Sequence, residues 1–178
     1  MDKRARLAVL TGSLLCASWL TGCVPENTGG APQTAAFHGG YDARVVKVVD
    51  GDTVWVRPDA GGTRRKLRIV GMDAPEICQD GGMQSRDVLA RRILNRTVVV
   101  DEGRKDRYGR PLVRLFLGDE DVAAWLVSSG YAWSYRYQGD EGPYALEESM
   151  AREAGLGIFA NADAMEPRQF RKTHGPCR

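Results

Sequence analysis

Five short stretches with strand composition, each closed by turn residues, set the tightest limit on what this chain can become: residues 44–49, 53–57, 64–70, 97–101 and 112–117. Their length and spacing predict a small barrel. Pro58-Asp59-Ala60-Gly61-Gly62 is turn chemistry between the second and third stretches, which are therefore expected to pair as a hairpin. Helical spacing appears at residues 84–95, through Val88, Leu89 and Ile93. It returns at 122–129, where Asp121 can cap, Val122, Trp125, Leu126 and Ser129 form a three-four pattern, and Gly130 ends the run. A third helix is predicted at 144–154, with Leu146, Met150 and Ala154 on one face and Gly155 as its stop. One helix after the third strand and two after the fifth predict a mainly β chain with helices, an OB-type five-stranded barrel with three helices.

The 178 residues, 43% of them hydrophobic and 27% charged, suit one modest domain and not a disordered chain. The N-terminus stands apart. Lys3, Arg4 and Arg6 precede an apolar stretch over residues 7–20, which ends at Leu20-Thr21-Gly22-Cys23. This is the pattern of a bacterial lipoprotein signal, in which the chain is cut before Cys23 and a lipid is attached to its sulfur. An ordinary secretory signal or a short membrane anchor remains the alternative, and each carries the body of the protein out of the cytoplasm. Val24 is not the aspartate associated with inner-membrane retention, so for a cell with two membranes the expectation leans toward an outer-membrane anchor, with the periplasm or cell surface as the place of work. Residues 23–40, rich in Pro, Gly, Thr, Ala and Asn, read as a flexible tether.

Cleavage after residue 22 would remove three basic side chains and Asp2, leaving 22 basic and 22 acidic groups. A mature chain of zero net charge cannot grip a polyanion by bulk attraction, so any such chemistry must come from local groups. Cys16 would leave with the signal and Cys23 would carry lipid, so Cys78 and Cys177 remain in an oxidising compartment. They are a disulfide candidate, worth on the order of 4 kcal/mol by chain entropy, with two unpaired thiols as the alternative. His38 and His174 are far apart and neither neighbours a Cys pair, which argues against zinc.

Chemistry concentrates in three segments. Val49-Asp50-Gly51-Asp52-Thr53 puts two carboxylates one residue apart in a sharp break between strands. By itself that is more often a hairpin turn, and Val54 rules out a calcium loop of the EF-hand kind. Arg68, within a strand, is followed by Asp73-Ala74-Pro75-Glu76, two carboxylates around a proline-fixed turn. Hard divalent cations take carboxylate and carbonyl oxygens, and a phosphodiester under attack calls for a cation, guanidinium groups and a base. Asp106-Arg107-Tyr108-Gly109-Arg110 is a basic, aromatic turn before the fifth strand.

In order and approximate spacing these three segments resemble the staphylococcal nuclease (thermonuclease) family, over residues 44–159. The resemblance implies that Asp52 and Asp73 bind a catalytic Ca²⁺, with the Ala74 carbonyl as a further ligand. It implies Glu76 as general base, and Arg68 and Arg110 as the groups that bind phosphate and stabilise the transition state. Asp50 is not a direct ligand in the family pattern. Ala74 stands where family members carry Thr or Ala, and only its carbonyl is used. Tyr108 is implied to lie beside the nucleotide, as are Tyr135 and Tyr137 of Trp133-Ser134-Tyr135-Arg136-Tyr137, with the register there uncertain by one residue. The implied function is calcium-dependent endonucleolytic hydrolysis of DNA and/or RNA leaving 3′-phosphates, by a monomer anchored through its lipid. Residues 41–160 would be the nuclease domain and 161–178 a C-terminal tail.

Nucleases built on histidine are disfavoured, because His38 lies in the tether and His174 in the tail. Two rivals remain: a non-catalytic OB-fold lipoprotein that only binds nucleic acid, and an envelope protein whose carboxylates bind calcium for stability.

Overall fold

A computed structural model describes residues 39–175 and 177. The signal segment, Cys23, the tether as far as His38 and two C-terminal positions lie outside the described residues. Within them the order is β1 (Tyr41–Val48), β2 (Thr53–Pro58), β3 (Arg65–Ile69), β4 (Met72–Asp73), α1 (Gly82–Ile93), β5 (Thr97–Lys105) and β6 (Pro111–Leu117). Then come β7 (Glu120–Asp121), α2 (Val122–Ser128), β8 (Trp133–Ser134), α3 (Ala145–Glu153), a 3₁₀ turn (Gly157–Ala160) and α4 (Pro167–His174).

The strands run β3-β2-β1-β5-β6-β7, and β6 also pairs in parallel with β3. That last pairing, Arg68 beside Leu112 and Ile69 beside Val113, closes five strands into a barrel. Alternation explains why: Ala43 and Val45, Val54 and Val56, Leu67 and Ile69, Val98 and Val100, Val113 and Leu115 all point inward and are sealed from water. The hairpin expected between the second and third strands is present as β2 and β3. One register slip, between Val45 and Lys47 of β1, adds local twist that helps the sheet curl.

Two helices sit close to expectation. Helix α1 buries Leu89 and Ile93, and Asp121 caps α2 by accepting hydrogen bonds from the Ala123 and Ala124 N–H groups at 2.9 and 3.2 Å. Two points differ. The described residues hold four helices rather than three, because α4 forms in the stretch read as a tail, with Pro167 in its first turn. In α3 the predicted apolar face is outward: Leu146 is 70% and Met150 62% exposed, while Glu148 and Ala151 are buried. Glu148 overrides the apolar pattern because it accepts from Arg136 (2.8 Å), Arg152 (2.7 Å) and the Ser134 N–H (2.9 Å). Below it, Trp133 and Phe159 meet edge to face in a second small core with Ala151 and Ile158. No described helix is long and apolar enough to cross a membrane.

Candidate active site

The Asp50-Gly51-Asp52 turn is shaped by its own backbone. Asp50 accepts from the Asp52 N–H at 3.1 Å, and the Val49 N–H donates to the Thr53 carbonyl at 2.9 Å, so the first carboxylate is spent on the turn. Gly51 is required there: a Cβ would collide with the Ser85 hydroxyl and the Ala74 side chain. The first two motifs are thus packed against each other at a point where only glycine fits.

Strand register then delivers the charges. Thr53 pairs with Arg68 across β2 and β3, and the Ile69 N–H donates to the Asp52 carbonyl at 2.8 Å. Arg68 Nη1 donates to Asp52 Oδ1 at 2.8 Å, and the Thr53 hydroxyl donates to the same oxygen at 2.9 Å. Strand β4 pairs with β8, Asp73 beside Trp133, and Arg68 Nη2 reaches Asp73 Oδ1 at 3.2 Å. One guanidinium therefore spans two aspartates that are only 4% and 5% exposed.

Glu76 follows on a turn pinned by Gln79, whose N–H donates to the Glu76 carbonyl at 2.8 Å and whose side-chain oxygen accepts from the Glu76 N–H at 3.2 Å. Gly82, in the first turn of α1, lies so near the Glu76 carbonyl that any side chain would collide with it. Into this group comes Arg171 of α4. Its Nη2 donates to Asp73 Oδ2 at 2.7 Å, and its Nη1 donates to Asp73 Oδ1 at 3.1 Å and Glu76 Oε1 at 3.0 Å.

Charge balance is the notable property of the cluster. Burial pushes the Asp52 carboxyl above its usual range; Arg68 opposes this, while Asp50 and Asp73 add to it. Burial works against the charge on Arg171 too, but Asp73 and Glu76 overcome it and hold its guanidinium firmly protonated. With all ionised, the four carboxylates of Asp50, Asp52, Asp73 and Glu76 face two guanidiniums, a surplus of two negative charges.

Arg110 is braced separately. Asp106 accepts from Arg110 Nε at 2.7 Å and from the Arg110 and Tyr108 N–H groups at 2.9 and 2.8 Å. Burial would raise the Asp106 carboxyl, yet these bonds hold it below the usual carboxylate range. Pairing of Leu112 with Arg68 brings the start of β6, and so the turn ending at Arg110, next to β3. Arg110's described bonds are to its own turn, through Asp106, and not to Asp52 or Asp73. Tyr108 is exposed between Arg107 and Arg110, whose guanidinium carbons lie 4.8 and 5.5 Å from its ring centre. Tyr135 and Tyr137 are also exposed, and the Tyr135 N–H donates to the Gly71 carbonyl at 2.9 Å, tying that stretch to the approach to Asp73. Cys78 and Cys177 form a disulfide with Cα atoms 5.8 Å apart.

Comparison with known proteins settles the kinship. A family model described as "Staphylococcal nuclease homologue" matches residues 66–161. The chain is 36% identical over 140 residues to Protein ParB of Escherichia coli, covering 72% of this chain and 77% of that one. The chain belongs to the staphylococcal nuclease family. Two other relatives are named for the activity: Micrococcal nuclease of Shigella flexneri, 34% identical over 153 residues (79% of this chain, 84% of the relative), and Thermonuclease of Staphylococcus hyicus, 35% over 109 residues (53% and 63%).

Measured as a cation site, the cluster has suitable chemistry. Asp52 and Asp73 present hard oxygen donors, buried and joined by one guanidinium, with negative charge to spare. Among the described residues no three His, Cys, Asp or Glu side chains are spaced to hold a metal unaided. Two side chains would therefore need backbone and solvent oxygens to complete the shell. The residue that sequence reasoning missed is Arg171. It lies 98 positions from Asp73, in a segment read as a tail, and carries no motif that would have marked it.

Proposed function

We propose that this member of the staphylococcal nuclease family is a calcium-dependent nuclease that cleaves phosphodiester bonds of DNA and/or RNA internally, leaving 3′-phosphates. The observation that carries the reading is the single Arg68 guanidinium joining Asp52 and Asp73 in near-complete burial, with Glu76 tied to the same group. Bound at Asp52, Asp73 and the Ala74 carbonyl, Ca²⁺ would supply Lewis acidity toward a phosphate oxygen.

The chain's own residues do the rest. Arg68 and Arg110 meet the charge that grows on the phosphate oxygens, and bracing by Asp106 means little reorganisation is needed when it grows. Glu76, on a turn fixed by Gln79 and Gly82, accepts a proton from water positioned for in-line attack. Tyr108, Tyr135 and Tyr137 offer exposed rings to bases, a contact worth about 1 to 3 kcal/mol per base and tolerant of sequence.

Residues 1–22 are proposed as an export signal, 23–40 as a tether lipidated at Cys23, 41–160 as the catalytic domain of a monomer and 161–178 as its tail. The protein is thereby held at the outer membrane, facing periplasm or cell surface. A Cys23→Ala variant should leave the membrane fraction, and its retention there would remove this part of the proposal.

The decisive experiment incubates the chain with DNA or RNA in excess calcium and then with chelator. Cleavage should stop on chelation, should fall about 10² to 10⁴ in Glu76→Gln, and should weaken in Arg110→Ala. Nucleic acid bound tightly but left intact would instead make this a binding module. A binding affinity unchanged from low to high salt would count against the arginines as phosphate ligands.

A further inference from the structure

The carboxylate cluster already contains a cation that belongs to the chain. Arg171 engages both oxygens of Asp73 and one of Glu76, and Arg68 shares Asp73 Oδ1, so both oxygens of Asp73 are engaged by guanidiniums. A divalent cation needs an oxygen of the same carboxylate, and two positive charges at one carboxylate edge repel. The Glu76 oxygen bonded to Arg171 is likewise engaged before any water proton reaches it.

The way α4 is attached gives this contact its meaning. Pro167 is its only buried residue, so it can lift without opening an apolar core. It is held instead by polar and covalent links on both sides of Arg171. On the N-terminal side Glu166 accepts from Arg136 at 3.0 Å and the Met165 carbonyl accepts from Gln79 Nε2 at 2.6 Å. On the C-terminal side Cys177 is bonded to Cys78, two residues beyond Glu76. A tether this close keeps the local concentration of Arg171 high, so the guanidinium returns after each opening. The Arg171 side chain is 32% exposed, and water can take it up when it leaves.

We propose that α4 is an autoinhibitory strap whose Arg171 competes with the divalent cation for Asp73 while engaging the general base Glu76, the disulfide setting the strength of the competition. This rests on the proposed cation-binding role of Asp52 and Asp73 and adds regulation to the same site. Arg171 would leave Asp73 and Glu76 when the cation is bound and return to them when it is lost.

The test is calcium titration calorimetry on the full chain with its disulfide intact, set beside Arg171→Gln. Charge-assisted hydrogen bonds to carboxylates are strong enough that their removal should tighten calcium binding roughly 10-fold. Lys172→Gln, the same change of charge on an exposed neighbour, should stay within about twofold because only distant, screened electrostatics is altered. Arg171→Lys, which keeps a charge but loses the fork, should fall between Arg171→Gln and the parent. The Cys78→Ser/Cys177→Ser double variant should also fall between them. Adding calcium to the parent should speed amide exchange in α4, which a merely structural Arg171 would not do. Calcium affinity that is unchanged or weaker in Arg171→Gln overturns the strap.

Parallel cleavage assays separate this from the functional reading. Equal calcium binding with calcium-dependent cleavage by both proteins keeps the nuclease and removes the strap. Tighter binding by Arg171→Gln with no cleavage by either keeps the strap and removes the nuclease. Absence of calcium binding in both proteins overturns both.

Discussion

The barrel and the segment that follows it are stabilised by different forces. In the barrel, ten inward aliphatic side chains from five strands are closed off from water, and the hydrophobic effect acts at roughly 25 cal/mol per Å² buried. From α3 onward the buried groups are few, and a carboxylate is among them: Glu148, 1% exposed, gathers Arg136 and Arg152, while Arg136 reaches on to Glu166 beside α4. The candidate active-site cluster lies where the two regimes meet, with Asp52, Arg68 and Asp73 positioned by strand register and Arg171 brought by a helix on polar links. A half sealed by apolar packing holds the proposed catalytic groups, and a half governed by charge can respond to ions and pH.

The sharpest way to break this contrast is to damage each half in kind. Leu67→Ala, which opens a cavity in the barrel, should cost about 2 to 5 kcal/mol. The urea midpoint should drop by nearly the same amount at low and high salt, since nothing ionic is touched. A comparable loss confined to high salt would mean that the barrel too depends on charge.

Glu148→Ala should cost about 2 to 3 kcal/mol. That is less than a fully buried pair would lose, because Arg136 and Arg152 are 36% and 41% exposed and can turn to water. Its pH dependence sharpens the comparison. Burial would raise the Glu148 carboxyl, but Arg136, Arg152 and the Ser134 N–H hold it below the ordinary range. A carboxylate whose folded value is depressed contributes stability that is present above its unfolded value, about 4.3, and lost as pH falls through the lower folded one. The parent should therefore lose stability more steeply than Glu148→Gln on acidification through that window; parallel curves of urea midpoint against pH would remove Glu148 from the account.

The smallest effect is expected from Glu166→Gln, whose ion pair with Arg136 is more than a third exposed on both sides. It should change global stability by less than about 1 kcal/mol. Amide exchange should nonetheless quicken in α4 and not in β1 or β5. Uniform quickening would show that the two halves open as one unit.

Much of the barrel was legible because strand alternation is a local signal: valines and leucines two residues apart announce the inward face wherever they occur. The hairpin turn and the Asp121 cap are local for the same reason. The outward turn of Leu146 and Met150 was not legible, since hydrophobicity alone ranks them above Glu148, and only the arrival of Arg136, Arg152 and the Ser134 N–H reverses that order. The α4 helix carried a faint local sign in Pro167 at its first turn, but no sign of what it would cover.

By itself, then, the sequence determined the five barrel strands, the hairpin turn, the family and the order of acidic and basic groups, because each depends on residues near one another in the chain. Tertiary structure alone decided that Arg68 bridges Asp52 to Asp73 and that Arg171 reaches back 95 residues to Glu76. The physical reason is that an ion pair depends on distance in space, and that distance is set by barrel closure and by the Cys78 to Cys177 link, neither of which a local pattern encodes.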